Sequence, residues 1–390
     1  MQIREQLNAK LQDFCYFGCL LLLIFLMIGC QGQTSSNNNS GVEQTNLANL
    51  GRSNTQLTLN NAVLQQSNQT GNLVWKVKAQ KTTYTDDRKV GYLEEITANL
   101  LQEGEVILKL KGDRGEVREQ GNLILLQQNI VASDARNEMV LQGDLVKWRP
   151  LENTLAITEN LTANRAKTSL SAIRAIYNTD RESLDLIDQV VVNSTNPDLI
   201  LKSDRATWQI PQQKIVTNTQ ATVVRYQANT ITDRLLSNNI TVDLAQQTAN
   251  LNNNFELRSL KPQLKVAGKT ATWNYQLRTI ASNQPVQAVA NELTVTGNQS
   301  KIDLDRELVI LSQGIEGKTA TTETIYAQNA SWAIANHEIT ATGNVIYNKV
   351  QPLVALTGDK ATINLDTNQA IVISDRPKDR PVISRIQQAN

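Results

Sequence analysis

The amino-acid sequence predicts an all-β protein, built of repeated antiparallel hairpins and preceded by one hydrophobic helix at the N-terminus. Three observations predict it: apolar and polar residues alternate over long stretches, one sequence unit recurs roughly every 30 residues, and an unbroken apolar run precedes both. Aromatic residues make up only 4% of the 390 residues, while Thr, Asn and Gln are abundant. Such a composition is typical of many short strands joined by polar turns.

The apolar run occupies residues 14–28 and is followed by Gly29 and Cys30. Its length fits either a short transmembrane helix or the core of a signal peptide, so we expect a signal or anchor segment over residues 1–30. Residues 26–30, LMIGC, resemble a bacterial lipobox, which makes Cys30 the candidate lipidation site. An uncleaved transmembrane anchor is the alternative. In both cases the body is exported and stays attached to a membrane.

Residues 31–56 are polar and poor in branched apolar residues. Such a segment gains little from burial, so we expect a flexible linker between the anchor and the body. From about Leu73 the pattern becomes alternating, with Val77 between Lys76 and Lys78. A period of two is typical of a half-buried antiparallel strand.

The body of the chain repeats itself. The segments DRATWQIPQQKIVTNTQ from Asp204, KTATWNYQLRTIASNQ from Lys269 and QNASWAIANHEITATGN from Gln328 each contain an apolar anchor, a polar turn and a β-branched strand. This period indicates a two-strand unit, which cannot bury its apolar side alone. The recurring tryptophans either pack a core or line a groove for an apolar ligand. The aligned anchor positions are Trp148, Tyr177, Trp208, Val242, Trp273, Ile302, Trp332 and Ile363.

The composition argues against an enzyme, a metal protein or a nucleic-acid-binding protein. The net charge of +1 gives no reason to expect a basic face for nucleic acid. The three cysteines end at Cys30 and His337 is the single histidine, so the body has no cysteine or histidine cluster for a metal site or a triad. We predict no catalytic residue, no metal and no cofactor. We interpret His337 as an exposed turn residue without a partner, and pairs such as Asp233-Arg234 and Asp305-Arg306 as solvated.

Three motifs follow the apolar segment in a fixed order: WKVKA at residues 75–79, TYT at residues 83–85, and GDRGEVREQGNLILLQQNIVASDARNEMVLQGDLVKW at residues 112–148. This order resembles the LptC family, the periplasmic component of lipopolysaccharide export, over about residues 14–225. The later copies, notably ATGNVIY at residues 341–347, resemble the hairpins of the related LptA/OstA domain.

The resemblance implies a twisted, extended and open β-jellyroll, whose two sheets part into a V-shaped groove. It implies that this groove accepts lipopolysaccharide from the LptB–LptF–LptG transporter and passes it to LptA, with the body in the periplasm at the inner membrane. In the family the anchor helix packs against LptF and LptG, so the lipobox at Cys30 is a departure. The length of the chain is a second departure, because the family's members are shorter.

The resemblance also divides the chain into domains. Residues beyond about 225 would extend the sheet, across a distance that LptA otherwise spans. The predicted domains are the signal or anchor segment at 1–30, the linker at 31–56, an LptC-like β-jellyroll at 57–225, an LptA/OstA-like β-jellyroll extension at 226–376 and a C-terminal tail at 377–390.

Alternation also assigns residues to the inside of the groove, although an error of one residue would turn a whole strand over. The last predicted strand carries Ile371 and Ile373, and we expect its edge to dock the next bridge protein by strand addition. The predicted lipid-binding residues are Trp75, Val77, Val106, Leu108, Leu123, Leu125, Trp148, Trp208, Val242, Trp273 and Trp332.

Two other functions remain open on the sequence alone. A structural or adhesive β-solenoid lipoprotein with a closed, dry core would show the same repeat without a lipid cargo. A carbohydrate-active β-helix enzyme would need carboxylates clustered on one face, whereas the acidic residues here are scattered along turns.

Overall fold

The computed structural model describes the body of the chain as antiparallel β-structure, and the prediction of an all-β body of antiparallel hairpins is confirmed. Among the described residues there is no α-helix, and the helical elements are two short 3-10 turns at Glu119–Gly121 and Pro150–Glu152. The expected anchor segment, Cys30 and the linker lie outside the described residues. The structure describes residues 57–291, 293–320, 323–367, 369–374 and 383–387, the last of these by backbone alone.

The described residues form 28 strands in one hydrogen-bonded sheet. In chain order the strands are β1 Thr58–Ser67, β2 Leu73–Tyr84, β3 Gly91–Gln102, β4 Glu105–Arg118, β5 Leu123–Asp134, β6 Val140–Arg149, β7 Thr154–Glu159, β8 Leu161–Arg165, β9 Thr168–Ala172, β10 Arg174–Asn178, β11 Ser183–Thr195, β12 Asp198–Gln209, β13 Lys214–Thr217, β14 Ala221–Gln227, β15 Thr230–Asp243, β16 Thr248–Leu260, β17 Gln263–Gly268, β18 Ala271–Asn274, β19 Thr279–Ser282, β20 Val286–Ala290, β21 Leu293–Asp303, β22 Leu308–Thr319, β23 Thr324–Ala327, β24 Asn329–Ala333, β25 Glu338–Lys349, β26 Leu353–Asn364, β27 Gln369–Ile373 and β28 Ile383–Gln387.

Long strands belong to two half-sheets at once. In β11, for example, residues 183–187 pair with β10 and residues 191–194 pair with β9. The same division recurs in the later long strands, so the short strands sort into two sets that the long strands connect. Half-sheet I contains the short strands β7, β10, β13, β18, β19, β24 and β27, and half-sheet II contains β8, β9, β14, β17, β20, β23 and β28.

A line of β-bulges separates the two half-sheets, and we call this line the crease. The pairing register shifts there, for example between Ile187 and Val190. Two successive residues with positive φ stand at these points, which bends the strand and aims its two halves in different directions. Asn and Gly tolerate positive φ best, and they supply six of these ten positions. The pairs are Gln128-Asn129, Asp188-Gln189, Asn253-Asn254, Gln313-Gly314 and Gly343-Asn344.

Four-residue turns at the far end of half-sheet I form a second continuous line, the turn ladder. Each turn ends in a residue whose carbonyl oxygen accepts a hydrogen bond from the first N–H of the next turn. The first N–H of each turn is thereby satisfied by the neighbouring turn, whereas inner N–H groups such as those of Gln276 and Leu277 donate to a side chain, Asn274 Oδ1. The hydrogen bonds run from Ile210 N to Glu182 O, Leu244 N to Gln213 O, Tyr275 N to Gln247 O, Leu304 N to Arg278 O, Ile334 N to Glu307 O and Leu365 N to His337 O, at 2.9–3.2 Å.

The repeat detected in the sequence is confirmed by the strand pairing. Every aligned anchor lies in one row of directly paired residues that crosses half-sheet I, and consecutive anchors are two strands apart. Each unit of about 30 residues therefore adds two strands to the half-sheet. This large-residue row consists of Ile124, Trp148, Leu155, Tyr177, Leu184, Trp208, Ile215, Val242, Ala249, Trp273, Ile280, Ile302, Val309, Trp332, Ile339, Ile363 and Ala370.

Strand pairing is continuous across residue 225, the predicted boundary between two domains. This residue lies inside β14, which pairs with β12 on one side and β15 on the other. Residues Asn54–Asn390 form one compact unit. Whether the segments before and after residue 225 act as separate domains stays a prediction.

The crease gives a first testable prediction. Replacing Asn254 by Val puts a β-branched side chain at a φ of 76°. The free energy of unfolding should fall by about 1–2 kcal/mol, because the two γ-methyl groups of valine crowd the backbone at positive φ, which asparagine tolerates. Urea unfolding measures the loss. Asn252→Val, two residues earlier in the same strand at an extended position, is the matched control and should change stability less; equal losses in both variants would contradict the assignment of strain to the crease.

Candidate functional site

The candidate site is the apolar interior between the two half-sheets. Half-sheet II carries a second row of directly paired residues, which has alanine or glycine at Ala98, Ala132, Ala163, Ala288 and Gly317 and larger, mostly aliphatic residues elsewhere. We call it the small-residue row because, unlike the large-residue row, it contains no tryptophan. This small-residue row consists of Leu64, Val77, Ala98, Leu110, Ala132, Leu141, Ala163, Leu170, Val192, Leu201, Val223, Leu235, Leu257, Val266, Ala288, Val295, Gly317, Ile325, Tyr347 and Leu356.

Most of the predicted lipid-binding residues lie inside. Nine of the eleven are buried, and eight of these nine, all except Leu123 at the start of β5, belong to a single hydrophobic core. Burial alone does not distinguish a packed core from a lipid site, so their lipid contact stays a prediction. The buried residues are Trp75, Val77, Leu108, Leu123, Trp148, Trp208, Val242, Trp273 and Trp332.

The facing of Val106 needs correction. Sequence alternation placed it on the same face as Leu108. The register shifts between the two pairs Leu100–Leu108 and Leu101–Val106, so Ile107 is an extra residue on this strand. The bulge turns Val106 to the outer face, where it is half-buried.

Leu125 is also on the outer face. Its direct partners across the sheet are Glu116 and Lys147, and it is half-buried, whereas Ile124 and Leu126 are fully buried. The sequence here is an unbroken apolar run, so alternation could not decide which residues face inward.

Four tryptophans of the large-residue row have a buried indole N–H without a hydrogen-bond partner among the described residues. They are Trp148, Trp208, Trp273 and Trp332. Each such group costs about 1–3 kcal/mol relative to a satisfied one. Trp75 differs, because its Nε1 donates to Gln66 Oε1 at 2.7 Å.

Two buried ion clusters, which the sequence analysis missed, join the half-sheets. The Arg278 cluster ties a turn of half-sheet I to strand ends of half-sheet II. The Arg278 guanidinium donates to both carboxylate oxygens of Asp233, at 2.9 and 3.0 Å, and to Ser259 Oγ at 3.0 Å. It also donates to the Lys261 carbonyl at 2.7 Å and to Asp305 Oδ1 at 2.6 Å.

Arg225 completes this cluster from half-sheet II. Its Nε donates to the Tyr275 carbonyl of half-sheet I at 2.9 Å. Burial lowers the pKa of Arg225, and the nearby Asp233 carboxylate offsets part of this effect. Burial also disfavours the charge on Arg278, but the hydrogen bonds and charges of Asp233 and Asp305 outweigh it and raise its pKa overall. The interpretation of Asp233 as solvated is therefore wrong, since its side chain is 0% exposed.

The Asp134 cluster makes the same kind of bridge farther toward the N-terminus. Tyr177 of half-sheet I donates its hydroxyl to Asp134 Oδ2 at 2.7 Å. Arg136 Nε donates to Asp134 Oδ1 at 3.0 Å, and Arg136 Nη2 donates to the Thr179 carbonyl at 2.8 Å. Asn137 Nδ2 donates to Glu182 Oε2 at 2.7 Å. The cluster thus joins the β5–β6 turn to the β10–β11 turn.

The interior is closed in this structure. Between the two clusters lies a cavity of about 30 Å³, which has room for about two water molecules at most. An acyl chain does not fit there unless the half-sheets separate. Residues of both half-sheets line the cavity: Val192, Ser194, Leu199, Leu201 and Val223 from half-sheet II, and Ile215, Val242, Leu244, Ala249, Trp273 and Tyr275 from half-sheet I.

The predicted partner edge is exposed. Ile371 and Ile373 are 60% and 46% exposed, and they lie in β27, which pairs with β26 on one side. Among the described residues β27 has no strand on its other side. Whether a bridge protein docks there stays a prediction.

His337 is a turn residue, as expected, but it has a partner. Its ring Nδ1 shares a hydrogen bond with Asp366 Oδ1, and its side chain is partly exposed. In the described part of the chain no three residues among His, Cys, Asp and Glu are grouped so that they could hold a metal ion.

Residues 20–145 match the family described as lipopolysaccharide-assembly, LptC-related. We call this segment the LptC-related part of the chain, after the family that it resembles. The match includes β1 to β5 and the first half of β6, and with them Trp75, Val77 and Leu108 of the predicted site. The comparison with curated proteins finds no match. The repeats after residue 145 are thus linked to this LptC-related part by the two rows of the interior and not by the family match.

The search for membrane-crossing helices covers only the part of the chain that the structure describes. In that part no helix has the length and apolar character needed to cross a membrane.

Three buried tyrosines give a prediction for alkaline pH. Burial raises the pKa of Tyr347 from 10.0 to about 12, helped by Glu323, and burial also raises the pKa of Tyr177 and Tyr275. A group whose pKa is raised in the folded state contributes its full stabilisation at pH values below its unfolded-state pKa. That contribution is lost as the pH rises through the folded-state pKa. The free energy of unfolding should therefore fall between pH 10 and about pH 12.

Denaturant unfolding at a series of pH values, with tyrosinate absorbance as a second signal, measures this loss. Tyr347→Phe should remove part of the pH dependence. A single ionisation step of all tyrosines near pH 10.0, in folded protein, would contradict the prediction.

Proposed function

We propose that the chain is a membrane-anchored periplasmic protein that transfers lipopolysaccharide. In this proposal it receives lipopolysaccharide from the LptB–LptF–LptG ABC transporter at the inner membrane, and it passes the lipid to an LptA-type bridge for outer-membrane assembly. The protein acts by shielding lipid, so it needs no catalytic residue or cofactor. The proposed anchor is the segment of residues 1–30, held either by lipidated Cys30 or by the helix itself.

The continuity of the apolar interior is the observation that supports this proposal. The small-residue row runs from Leu64 in β1 to Leu356 in β26, and it begins inside the LptC-related part. Each exposed methylene of an acyl chain costs about 0.8 kcal/mol in water, so a chain of about 14 carbons costs on the order of 10 kcal/mol. A continuous row of mostly aliphatic residues offers many weak sites in succession, and lipid can pass along it without a deep trap.

The proposed groove-facing residues are those of the two rows. Lipid would replace contacts between the rows by contacts of each row with acyl chains, so the loss of packing is offset by burial of the cargo. Val106 and Leu125 are not part of this proposal because they face outward. The aligned tryptophans after residue 145 would extend the same surface.

A structural or adhesive β-solenoid lipoprotein without cargo is the second candidate. The closed interior favours it, because the cavity between the two clusters is only about 30 Å³. The two candidates differ in one property: in the first the half-sheets separate around lipid, and in the second they do not.

Photo-crosslinking in cells separates the two candidates. A photoreactive residue at Val77, which is 0% exposed and faces inward, should form lipopolysaccharide adducts. The same residue at Lys78, its exposed neighbour on the opposite face, is the matched control and should form none. Absence of adducts at both positions, in folded and exported protein, would favour the structural lipoprotein.

The proposed docking edge has its own test. Ile371→Pro combined with Ile373→Pro removes two backbone N–H groups from β27 and should abolish binding of an LptA-type bridge protein, because strand addition uses backbone hydrogen bonds. Pull-down with the bridge protein measures the effect. Ile371→Thr combined with Ile373→Thr keeps the backbone donors and should retain binding; unchanged binding by the proline variant would refute docking at this edge.

A further inference from the structure

The outer surfaces of the two half-sheets differ in charge. On each half-sheet two rows of directly paired residues flank the buried row and point outward, and we call them the outer rows. They are the rows through Lys76 and Lys78 on half-sheet II, and those through Lys147 and Arg149 on half-sheet I. The charges on half-sheet I are balanced: Lys147, Arg149, Lys214 and Lys301 stand against Glu116, Asp185, Asp243, Asp303 and Glu338.

The outer rows of half-sheet II are basic. In their described part the acidic residues are Glu256 and Glu316, and both already have basic partners. Glu256 contacts Arg258 at 2.6 Å and Lys265 at 2.7 Å, and Glu316 contacts Lys318 at 2.6 Å. An excess of positive charge therefore remains on this surface. The basic residues are Lys76, Lys78, Lys109, Lys111, Lys202, Arg234, Arg258, Lys265 and Lys318.

Four lysines form a patch at the N-terminal end of this surface, and we call it the lysine patch. Lys76 and Lys78 lie in β2, and Lys109 and Lys111 lie in β4. Strand β3 runs between the two pairs, and its Thr97 is paired directly with Lys78 on one side and Lys111 on the other. From the rise per residue and the spacing of strands, the four residues mark a rectangle of roughly 7 by 10 Å.

The lysine patch lacks compensating negative charge. Lys81, farther along β2, pairs with Glu94 at 3.4 Å. In the part of the chain that the structure describes, by contrast, no carboxylate lies within ion-pair distance of the four patch lysines. Asp113, which follows the patch along β4, accepts a hydrogen bond from Asn129 Nδ2 at 2.6 Å. An anionic partner would therefore relieve the repulsion between like charges at this place.

The chemistry of the patch fits an anionic surface rather than one bound anion. A lysine ammonium is a hydrated point charge, whereas sites for a single phosphate use the planar fork of arginine or the N–H groups of a helix N-terminus. The patch has lysines alone, on an open sheet face. Val63, which is 53% exposed, is paired directly with Lys78 on the same face. Apolar and basic side chains together are typical of surfaces that bind anionic bilayers.

The position of the patch in the chain favours the same partner. Strand β2 pairs with β1, the first strand of the body, and the predicted linker of residues 31–56 comes directly before it. A random coil of this length spans roughly 30 Å. In the proposed function the segment before the linker is held in a membrane, so the tether keeps the patch at a millimolar effective concentration relative to the bilayer. A weak electrostatic contact is then sufficient.

We propose that the lysine patch binds anionic phospholipid headgroups at the surface of the membrane that holds the N-terminal segment. This inference rests on the anchor of the proposed function, and it adds a second, electrostatic contact between the body and the membrane. The contact turns half-sheet II of β2 to β4 toward the bilayer and half-sheet I away from it. It thereby fixes the rotation of the body, which a linker alone leaves free.

The test uses the full-length chain, reconstituted through its own N-terminal segment into vesicles of phosphatidylcholine with or without about 30% phosphatidylglycerol. A photoreactive residue replaces Thr97 at the centre of the patch, and its adducts with labelled phospholipid are measured. Tyr92 is the matched position, because it lies in the same strand, is 47% exposed and faces outward on half-sheet I. Phosphatidylglycerol should raise the adducts at Thr97 roughly fivefold or more and leave those at Tyr92 unchanged.

Neutralising the patch should remove the effect. In the combined variant Lys76→Gln, Lys78→Gln, Lys109→Gln and Lys111→Gln, adducts at Thr97 should fall by at least about tenfold, since each lysine near an anionic surface contributes about fivefold in binding. Arginine at the same four positions keeps the charge and should retain the adducts. Salt of about 500 mM should also reduce them, because the Debye length is then roughly 4 Å.

Flotation of the vesicles separates failure of this inference from failure of the proposed function. A chain that floats with neither kind of vesicle contradicts the proposed anchor and the inference with it. A chain that floats with both, but forms equal adducts at Thr97 with and without phosphatidylglycerol, overturns the lysine patch and leaves the anchor standing. Full retention of adducts in the glutamine variant overturns the patch as well. Loss of adducts on adding millimolar inorganic phosphate at constant ionic strength would show a site for a single anion and overturn the membrane contact.

Discussion

The constraint on which the whole structure depends is that a single two-strand unit cannot bury its own apolar row. Each unit contributes one residue pair to the large-residue row and one to the small-residue row, and these rows become buried only when the half-sheets face each other over many units. The crease makes this possible, because bulges such as the one at Asp188-Gln189 aim the two ends of one strand into two sheets. The apolar packing, the bulges and the turns therefore all belong to one arrangement, in which the two half-sheets face each other.

The sequence was sufficient for the strand type, the repeat and most inward-facing residues. Trp208, Trp273 and Trp332 occupy the same position in their repeat units, and they lie in one row of the sheet because each unit adds two strands. The alternation of apolar and polar residues predicted the wrong facing for Val106 and Leu125. A bulge next to Val106 shifts the register, and the run around Leu125 is apolar throughout, so it contains no alternation. The anchor segment predicted for residues 1–30 lies outside the described residues.

The ion clusters could not be predicted from the sequence for a different reason. Asp233 and Arg278 are 45 residues apart, and they meet because the turn ladder places one turn of half-sheet I over the end of β15. Nothing in the local sequence distinguishes Asp233 from the solvated acidic residues of other strands. The unpaired indole N–H groups of the large-residue row could not be predicted either. Whether Trp148 or Trp273 has a hydrogen-bond partner depends on neighbours that are distant in the sequence. The closed apolar interior and the buried ion clusters are thus properties of the assembled half-sheets.

The turn ladder has a consequence for how such a chain changes over evolutionary time. Each turn gives one carbonyl to the following turn and takes one from the preceding turn, as Leu244 N does from Gln213 O and Tyr275 N does from Gln247 O. A whole unit can therefore be duplicated or deleted without leaving an unpaired backbone group, and the body grows or shrinks by roughly 10 Å, the width of two strands. A fraction of a unit cannot be duplicated or deleted in this way. The length of the body therefore changes in fixed increments of one unit.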